Sequence, residues 1–274
     1  MQALGSDPVN EAQWRALDAI GKRWSPPHED DWLLAIDDTD NLTSRGTGFL
    51  ARQLALRMAQ AGMAEVKAIT RHQLLVDPRI PYTSHNSSAC LVLQSIVDRQ
   101  TIFDYTCRYL LEESAEGSDA GTVLVQRKDL PDVVRQFGRA AKEQVLEQAD
   151  ARKLIVGYAI DMAGLTGTHG GVIGALAAVG LNASGCDGRF LWLKQLRGLS
   201  CEQWTAGALE AATGVTVQSK LGPEVVIAAE DRIDLGEWPR AVFLQGQATL
   251  LVEKVDENDF NGWRAASKNY VRRF

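Results

Sequence analysis

A chain of 274 residues, 45% hydrophobic and 23% charged, holds enough apolar side chains for one large domain or two modest ones. Its net charge of −6 at pH 7 argues against a dedicated nucleic-acid binder, which usually presents a basic face to phosphates. No run approaches the roughly 20 apolar residues of a membrane helix, and Met1 to Asn10 lacks the pattern of a secretory signal. The four cysteines are too dispersed for a zinc ribbon or a disulfide framework, so a reduced cytoplasm is expected.

In chain order, residues 10–24 are predicted to form an amphipathic helix, with Trp14, Leu17, Ile20 and Trp24 on one stripe and Pro26-Pro27 as its stop. The continuous apolar run Trp32 to Ile36 predicts a strand covered on both faces. The acidic cluster Asp37 to Asp40 follows, then Gly46-Thr47-Gly48 and a helix over about 49–61, with Leu50, Leu54 and Met58 on its apolar line and Gly62 at its end. With a strand from Glu65 to Thr70, this first unit reads as a crossover in an α/β layer.

Asp77-Pro78-Arg79-Ile80-Pro81-Tyr82 is a stiff, extended loop that ends in the polar run Thr83 to Ser88. A strand at 89–93, a helix at 98–113, a strand at 122–125 and a helix at 131–149 are compatible with a ferredoxin-like unit. A strand is expected over 154–160, a glycine-rich loop over 164–171, a helix from Val172 to Val179 with Gly180 at its end, and a strand over 190–193. Beyond these, 202–213 reads as helix, and 215–217, 225–228 and 241–252 read as β. A final helix near 258–270 leads to a basic end, Lys268, Arg272 and Arg273, which reads as a solvated terminus.

Asp37, Asp38 and Asp40 place three carboxylates within four residues at a buried strand end. Like charges about 4 Å apart repel by roughly 1 kcal/mol in water and about 4 at an effective dielectric of 20. Such a cluster protonates, splays into solvent or holds a cation, and carboxylate oxygens suit Mg²⁺ shared with phosphate. A capped surface turn is the competing reading, since Asp, Thr and Asn favour turns. The helix start at Gly46 and Gly48 favours phosphate beside Thr39, and Thr47 either caps that helix or faces a transferred phosphoryl group.

The glycine loop Thr166 to Gly171 supplies backbone amides for an anion at Gly167, Gly170 and Gly171. It is neither a Walker A loop nor a dinucleotide fingerprint. Gly174 and the alanines after it read as close helix packing, and His169 as a solvated loop histidine. Ser84, His85, Asn86 and Ser87 are candidate substrate contacts, and Asp119 either closes a tight turn or pairs with a cationic substrate group.

Taken in order, Ile36-Asp37-Asp38-Thr39-Asp40, Asp77-Pro78-Arg79-Ile80-Pro81-Tyr82, Gly117-Ser118-Asp119-Ala120-Gly121 and Gly171 to Ala178 resemble the catalytic core of archaeal agmatidine synthetase. That family uses ATP to attach agmatine to the wobble cytidine of an isoleucine tRNA. The resemblance covers about residues 33–200. It implies a kinase-like domain joined to a ferredoxin-like domain, with Mg²⁺ and ATP between them. Asp37, Asp38 and Asp40 align with the family's acidic motif, Thr47 with its phosphoryl-accepting threonine, and Gly170 and Gly171 with its phosphate-facing glycines. The chain departs from the family in having Thr83 and His85 where Lys and Arg are usual, Gly170 in place of an arginine, and no zinc ribbon. Arg45, Arg71, Arg79 and Arg197 are candidates to restore the missing charge.

The expected architecture is α/β (α+β). It comprises an N-terminal helix over 1–30, a kinase-like ATP-site core over 31–70 and 153–200, a ferredoxin-like unit over 71–152 and a small β-rich C-terminal extension over 201–274. The expected activity is Mg²⁺-dependent ATP hydrolysis or phosphoryl transfer onto a small molecule. A tRNA-modifying ligase is the alternative, disfavoured by the missing ribbon and the acidic charge, and a non-catalytic nucleotide sensor is the third reading.

Overall fold

The computed structural model describes residues 8–80, 86–257 and 260–274. The chain is a mixed α/β protein in which, among the described residues, twelve strands join in a single sheet. Helix α1 (Pro8–Ile20) precedes β1 (Trp32–Asp37), α2 (Thr47–Gln60), β2 (Ala64–Gln73), β3 (Ser87–Ser95), α3 (Arg99–Glu113) and β4 (Gly121–Gln126). Then come α4 (Asp132–Ala140), α5 (Gln148–Leu154), β5 (Ile160–Gly164), α6 (Val172–Ser184) and β6 (Arg189–Trp192). The C-terminal part contributes β7 (Gln203–Thr205), α7 (Ala206–Thr213), β8 (Thr216–Ser219), β9 (Arg232–Asp234), β10 (Ala241–Leu244), β11 (Gln247–Glu257), β12 (Phe260–Ala265) and α8 (Lys268–Val271).

Strand β1 pairs antiparallel with both β3 and β4, and β3 pairs antiparallel with β2. Each β-α-β crossover is therefore split: β3 lies between the parallel pair β1 and β2, and β1 lies between the parallel pair β3 and β4. Strands from 31–70, 71–152 and 153–200 thus alternate within one sheet. Beyond β2 the sheet continues through β6 and β10 to β11, β12, β9 and β7.

Alternation along β1 explains the layers. Leu34 and Ile36 face a core shared with α1, α2 and α3, while Leu33 and Ala35 face one shared with α4, α5 and α6. Both faces are covered, as the apolar run requires. Trp24, Phe190 and Phe243 meet edge to face at 5.0–5.8 Å between ring centroids and join the C-terminal strands to the second core. No helix among the described residues is long and apolar enough to cross a membrane.

Five sequence expectations are corrected. The helix expected over 131–149 is broken between α4 and α5, because the Ala141 carbonyl accepts from the Leu75 amide at 3.0 Å instead of continuing the helical ladder. The strand expected over 154–160 begins only at Ile160, since Leu154 ends α5 and Val156 is 77% exposed on a turn. Of the helix expected near 258–270, residues 260–265 are strand β12, registered against β11, a single helical turn begins at Lys268, and 258–259 lie outside the described residues. The apolar run at 225–228 forms no strand, and Val226 is exposed. Helix α6 also runs past Gly180 to Ser184, ending at Gly185 in the left-handed conformation.

Polar groups are buried in pairs. Asn182 of α6 donates to Thr70 Oγ1 at 2.9 Å and accepts from Arg127, while Thr70 meets His72 Nε2 at 2.9 Å. His72 Nδ1 meets Asp187 at 2.9 Å, and Lys142 bonds the same carboxylate. Burial works to raise the pKa of Asp187, but the hydrogen bonds and charges of His72 and Lys142 outweigh it, leaving the group below the usual carboxylate range. A depressed pKa stabilises the native state above the unfolded value and loses that effect as pH falls through the native one. Asp187→Asn is therefore expected to cost about 1.5–3 kcal/mol at neutral pH, with the deficit shrinking below roughly pH 4. Urea melts of both proteins across pH check this, and a deficit that stays constant with pH contradicts it.

Candidate functional site

Strand β1 ends at Asp37, and the chain must then turn sharply. Asp38 adopts a left-handed backbone with φ 51°, a conformation that Asp and Asn tolerate better than most residues. The turn is tied down locally. Asn41 Oδ1 accepts from the Thr43 and Ser44 amides, and the Ala115 amide donates to Thr39 O at 3.0 Å. Thr39 is buried, and its hydroxyl donates to Thr47 Oγ1 at 3.0 Å. Thr47 in turn donates to Asp40 Oδ1 at 2.8 Å. The residue preceding α2 is Gly46, without a side-chain cap, so Thr47 holds the acidic turn rather than capping the helix.

Asp37, Asp38, Asp40 and Asp119 line one cleft of about 190 Å³. The Asp37 carboxylate lies against α6, where a Cβ on Gly174 would fall 1.9 Å from Asp37 Oδ2. Asp119 accepts from the Thr168 amide, and Gly167, with φ 51°, leaves room for its carboxylate. Leu74, Ile80, Ala141, Val145, Leu146 and Ile173 line the same cleft, with Leu74 beside Asp37 at Gly174. The cleft therefore combines carboxylates with apolar side chains.

The carboxylates are electrostatically strained. Burial first, then the Asp38 and Asp40 charges, push Asp37 well above the usual carboxylate range. Burial, then Asp119 and Asp40, raise Asp38 to about 6. Asp37, Asp38 and Asp119 form no salt bridge among the described residues. No three His, Cys, Asp or Glu side chains among those residues converge closely enough to hold an ion unaided. One or two carboxylate oxygens beside an open cleft match the habit of Mg²⁺, which keeps waters and shares phosphate oxygens.

Of the residues singled out in sequence, the cleft gathers Asp37, Asp38, Asp40, Thr47, Asn86, Ser87, Asp119 and Gly170. Ser84 and His85 lie outside the described residues. Asn86 is also a structural clamp, its amide donating to Leu75 O at 2.7 Å and its carbonyl accepting from the Leu74 amide. Gly46 and Gly48 line a neighbouring pocket. Gly171 packs on Gly121 and the Asp37 backbone, and its amide is spent on Asp119 O. Arg79 reaches the cleft but is paired with Asp77. Gln144, Val145 and Leu146 escaped sequence reading, because the segment carrying them reads as uninterrupted helix.

Several solved structures are similar to part of this chain. A complex of TiaS with isoleucine tRNA and ATP, and a tRNA fluorescent labelling enzyme, each match with TM-score 0.48 and 27% identity over 55% of this chain and 36% of their own. Apo TiaS, an agmatidine synthetase for isoleucine tRNA, matches with TM-score 0.48 and 25% identity over 55% and 35%. This chain spans about a third of the length of the structures it matches. No protein-family model matches the sequence, and no curated protein matches it.

Proposed function

We propose that the protein is a Mg²⁺-dependent enzyme that uses ATP to activate or phosphorylate a small-molecule acceptor, by chemistry similar to that of agmatidine synthetase. The observation that carries this reading is one cleft that joins Asp37 and Asp38, raised in pKa and without a salt bridge, to apolar side chains. A divalent ion held by Asp37 and Asp38 would neutralise those carboxylates and the charge of a polyphosphate together. Leu74, Ile80, Val145 and Ile173 supply apolar contact for a nucleobase. Thr47, donating to Asp40, has the geometry of a hydroxyl beside its general base, which supports a phosphoryl-accepting role. The order of the four motifs supports the same reading.

Asp38→Asn tests it, because Asn accepts the left-handed backbone and removes only the charge. A raised native pKa means that the native state binds more protons between about pH 4 and 6, so its stability falls as pH rises through that window. The variant is therefore expected to melt higher than wild type at pH 7 without ligand, yet to lose Mg²⁺-dependent ATP binding. Calorimetry with and without Mg²⁺ decides. Unchanged affinity in the variant would sink the metal assignment.

A tRNA acceptor is the second reading. The ordered motifs shared with agmatidine synthetase support it, whereas Arg52 and Arg240, packed with Arg197 around Trp14 at 4.6–5.1 Å, are buried and offer phosphate no surface. A salt-dependent gel shift with tRNA separates the two acceptors, and absence of a shift at low salt removes this one.

A further inference from the structure

A second pocket, of about 280 Å³, opens beside the acidic cleft and shares Asp40, Thr47 and Ser87 with it. Three arginines line it: Arg71 of β2, Arg189 of β6 and Arg272 at the end of α8. Arg71 and Arg189 are directly opposed partners in the β2–β6 register. Like charges in that position destabilise a sheet, and here both are more than half buried. None of the three forms an ion pair among the described residues. Asp40, at the shared rim, is the carboxylate of the pocket, and it accepts from Thr47.

The arrangement raises the free energy of the empty protein. Burial, then Arg71 and Arg272, lower the Arg189 pKa to about 10, and burial, then Arg272, lowers that of Arg71. The same field extends past the pocket, because Arg240, itself buried, is lowered by Arg197, Arg52 and Arg189 after burial. Guanidinium groups converging from two strands and a helix make a fork for tetrahedral oxyanions. The start of α2 at Gly46 and Gly48 adds its positive dipole end to the same space.

We infer that this pocket binds a phosphate group through Arg71, Arg189 and Arg272, and that the C-terminal helix thereby completes a ligand site. The group is either the terminal phosphate of a nucleotide or a phosphate carried by a second substrate. Both present the same chemistry to the arginines. The site stands on the arginines alone and requires no metal in the acidic cleft, so it survives if the Mg²⁺–ATP reading fails.

The test is calorimetric titration of the full chain with inorganic pyrophosphate, without divalent ions, at low and raised salt. Wild type is expected to bind, and more weakly as salt rises. Arg189→Gln is expected to bind roughly tenfold more weakly and Arg272→Gln roughly threefold. Arg273→Gln, one residue on and outside the pocket, is expected to keep wild-type affinity. Arg71→Gln/Arg189→Gln removes an opposed like-charge pair, so its melting temperature is expected to match or exceed wild type. A wild type that ignores millimolar pyrophosphate, or a folded double variant with unchanged affinity, overturns the inference. A non-hydrolysable ATP analogue identifies the source: displacement of pyrophosphate assigns the site to the nucleotide, and simultaneous binding assigns it to the second substrate.

Discussion

Asp31→Ala is expected to cost the native state about 3–5 kcal/mol and to lower the melting temperature by roughly 6–20 °C. The reason lies in an irregularity of β2. Its pairing with β3 shifts between Val66 and Ala68, so Lys67 is the extra residue of a bulge. The bulge re-aims a lysine into the protein, where its side chain is 2% exposed and Asp31 is fully buried. Lys67 Nζ reaches both Asp31 oxygens at 2.9 and 2.8 Å, and Asp31 Oδ2 also accepts from the His28 amide at 2.8 Å. Removing the carboxylate leaves an ammonium without solvent or partner, the costly half of a buried pair. Asp31→Leu combined with Lys67→Met is expected to recover most of the loss, because both charges then go together. Thermal and urea melts of the three variants measure this. A single variant that loses less than about 1 kcal/mol would mean that water or another anion reaches Lys67.

Gly174→Ala sets two effects against each other. In a helix interior, alanine is favoured over glycine by about 1 kcal/mol, so helix α6 on its own gains. The added Cβ, however, would stand 1.9 Å from Asp37 Oδ2 and 3.2 Å from Leu74 Cδ1. A short carboxylate side chain yields before a packed helix does. The expected result is a folded protein, melting within a few degrees of wild type, whose Asp37 carboxylate is displaced. Its Mg²⁺-dependent ATP affinity is expected to fall about 100-fold, equivalent to about 2.8 kcal/mol. Calorimetry beside a melting curve separates site loss from unfolding. Full binding in a stable variant would show that the position of Asp37 is not needed.

Much of this protein is legible in its sequence, for reasons that can be named. The run Trp32 to Ile36 is buried on both faces, and its continuous apolarity says so directly. Gly46-Thr47-Gly48 announces α2, and the acidic turn and the Gly117 to Gly121 turn both come to the same cleft. Positional information decided the misses. Lys142, Glu143 and Gln144 are good helix formers, yet a hydrogen bond from Leu75 outside the segment ends the helix before them. Residues 258–270 carry charge and amide side chains that suit a helix, but pairing with β11 makes strand of 260–265. Gly174 reads as helix packing, and it is that. What no spacing rule reveals is that the partner it packs against is the Asp37 carboxylate. The arginine pocket was hidden for the same reason, since Arg71, Arg189 and Arg272 are remote in sequence and meet only through the β2–β6 register and the last helix.

Asp40, Thr47 and Ser87 line both the acidic cleft and the arginine pocket, and the first two are joined by a hydrogen bond. If both proposed sites fill, a cation on one side would lower the cost of the carboxylates and an anion on the other that of the arginines, across the same hydrogen bond. Occupancy of either compartment would change the field across the same hydroxyl. By linkage, any factor by which one ligand tightens the second is the factor by which the second tightens the first.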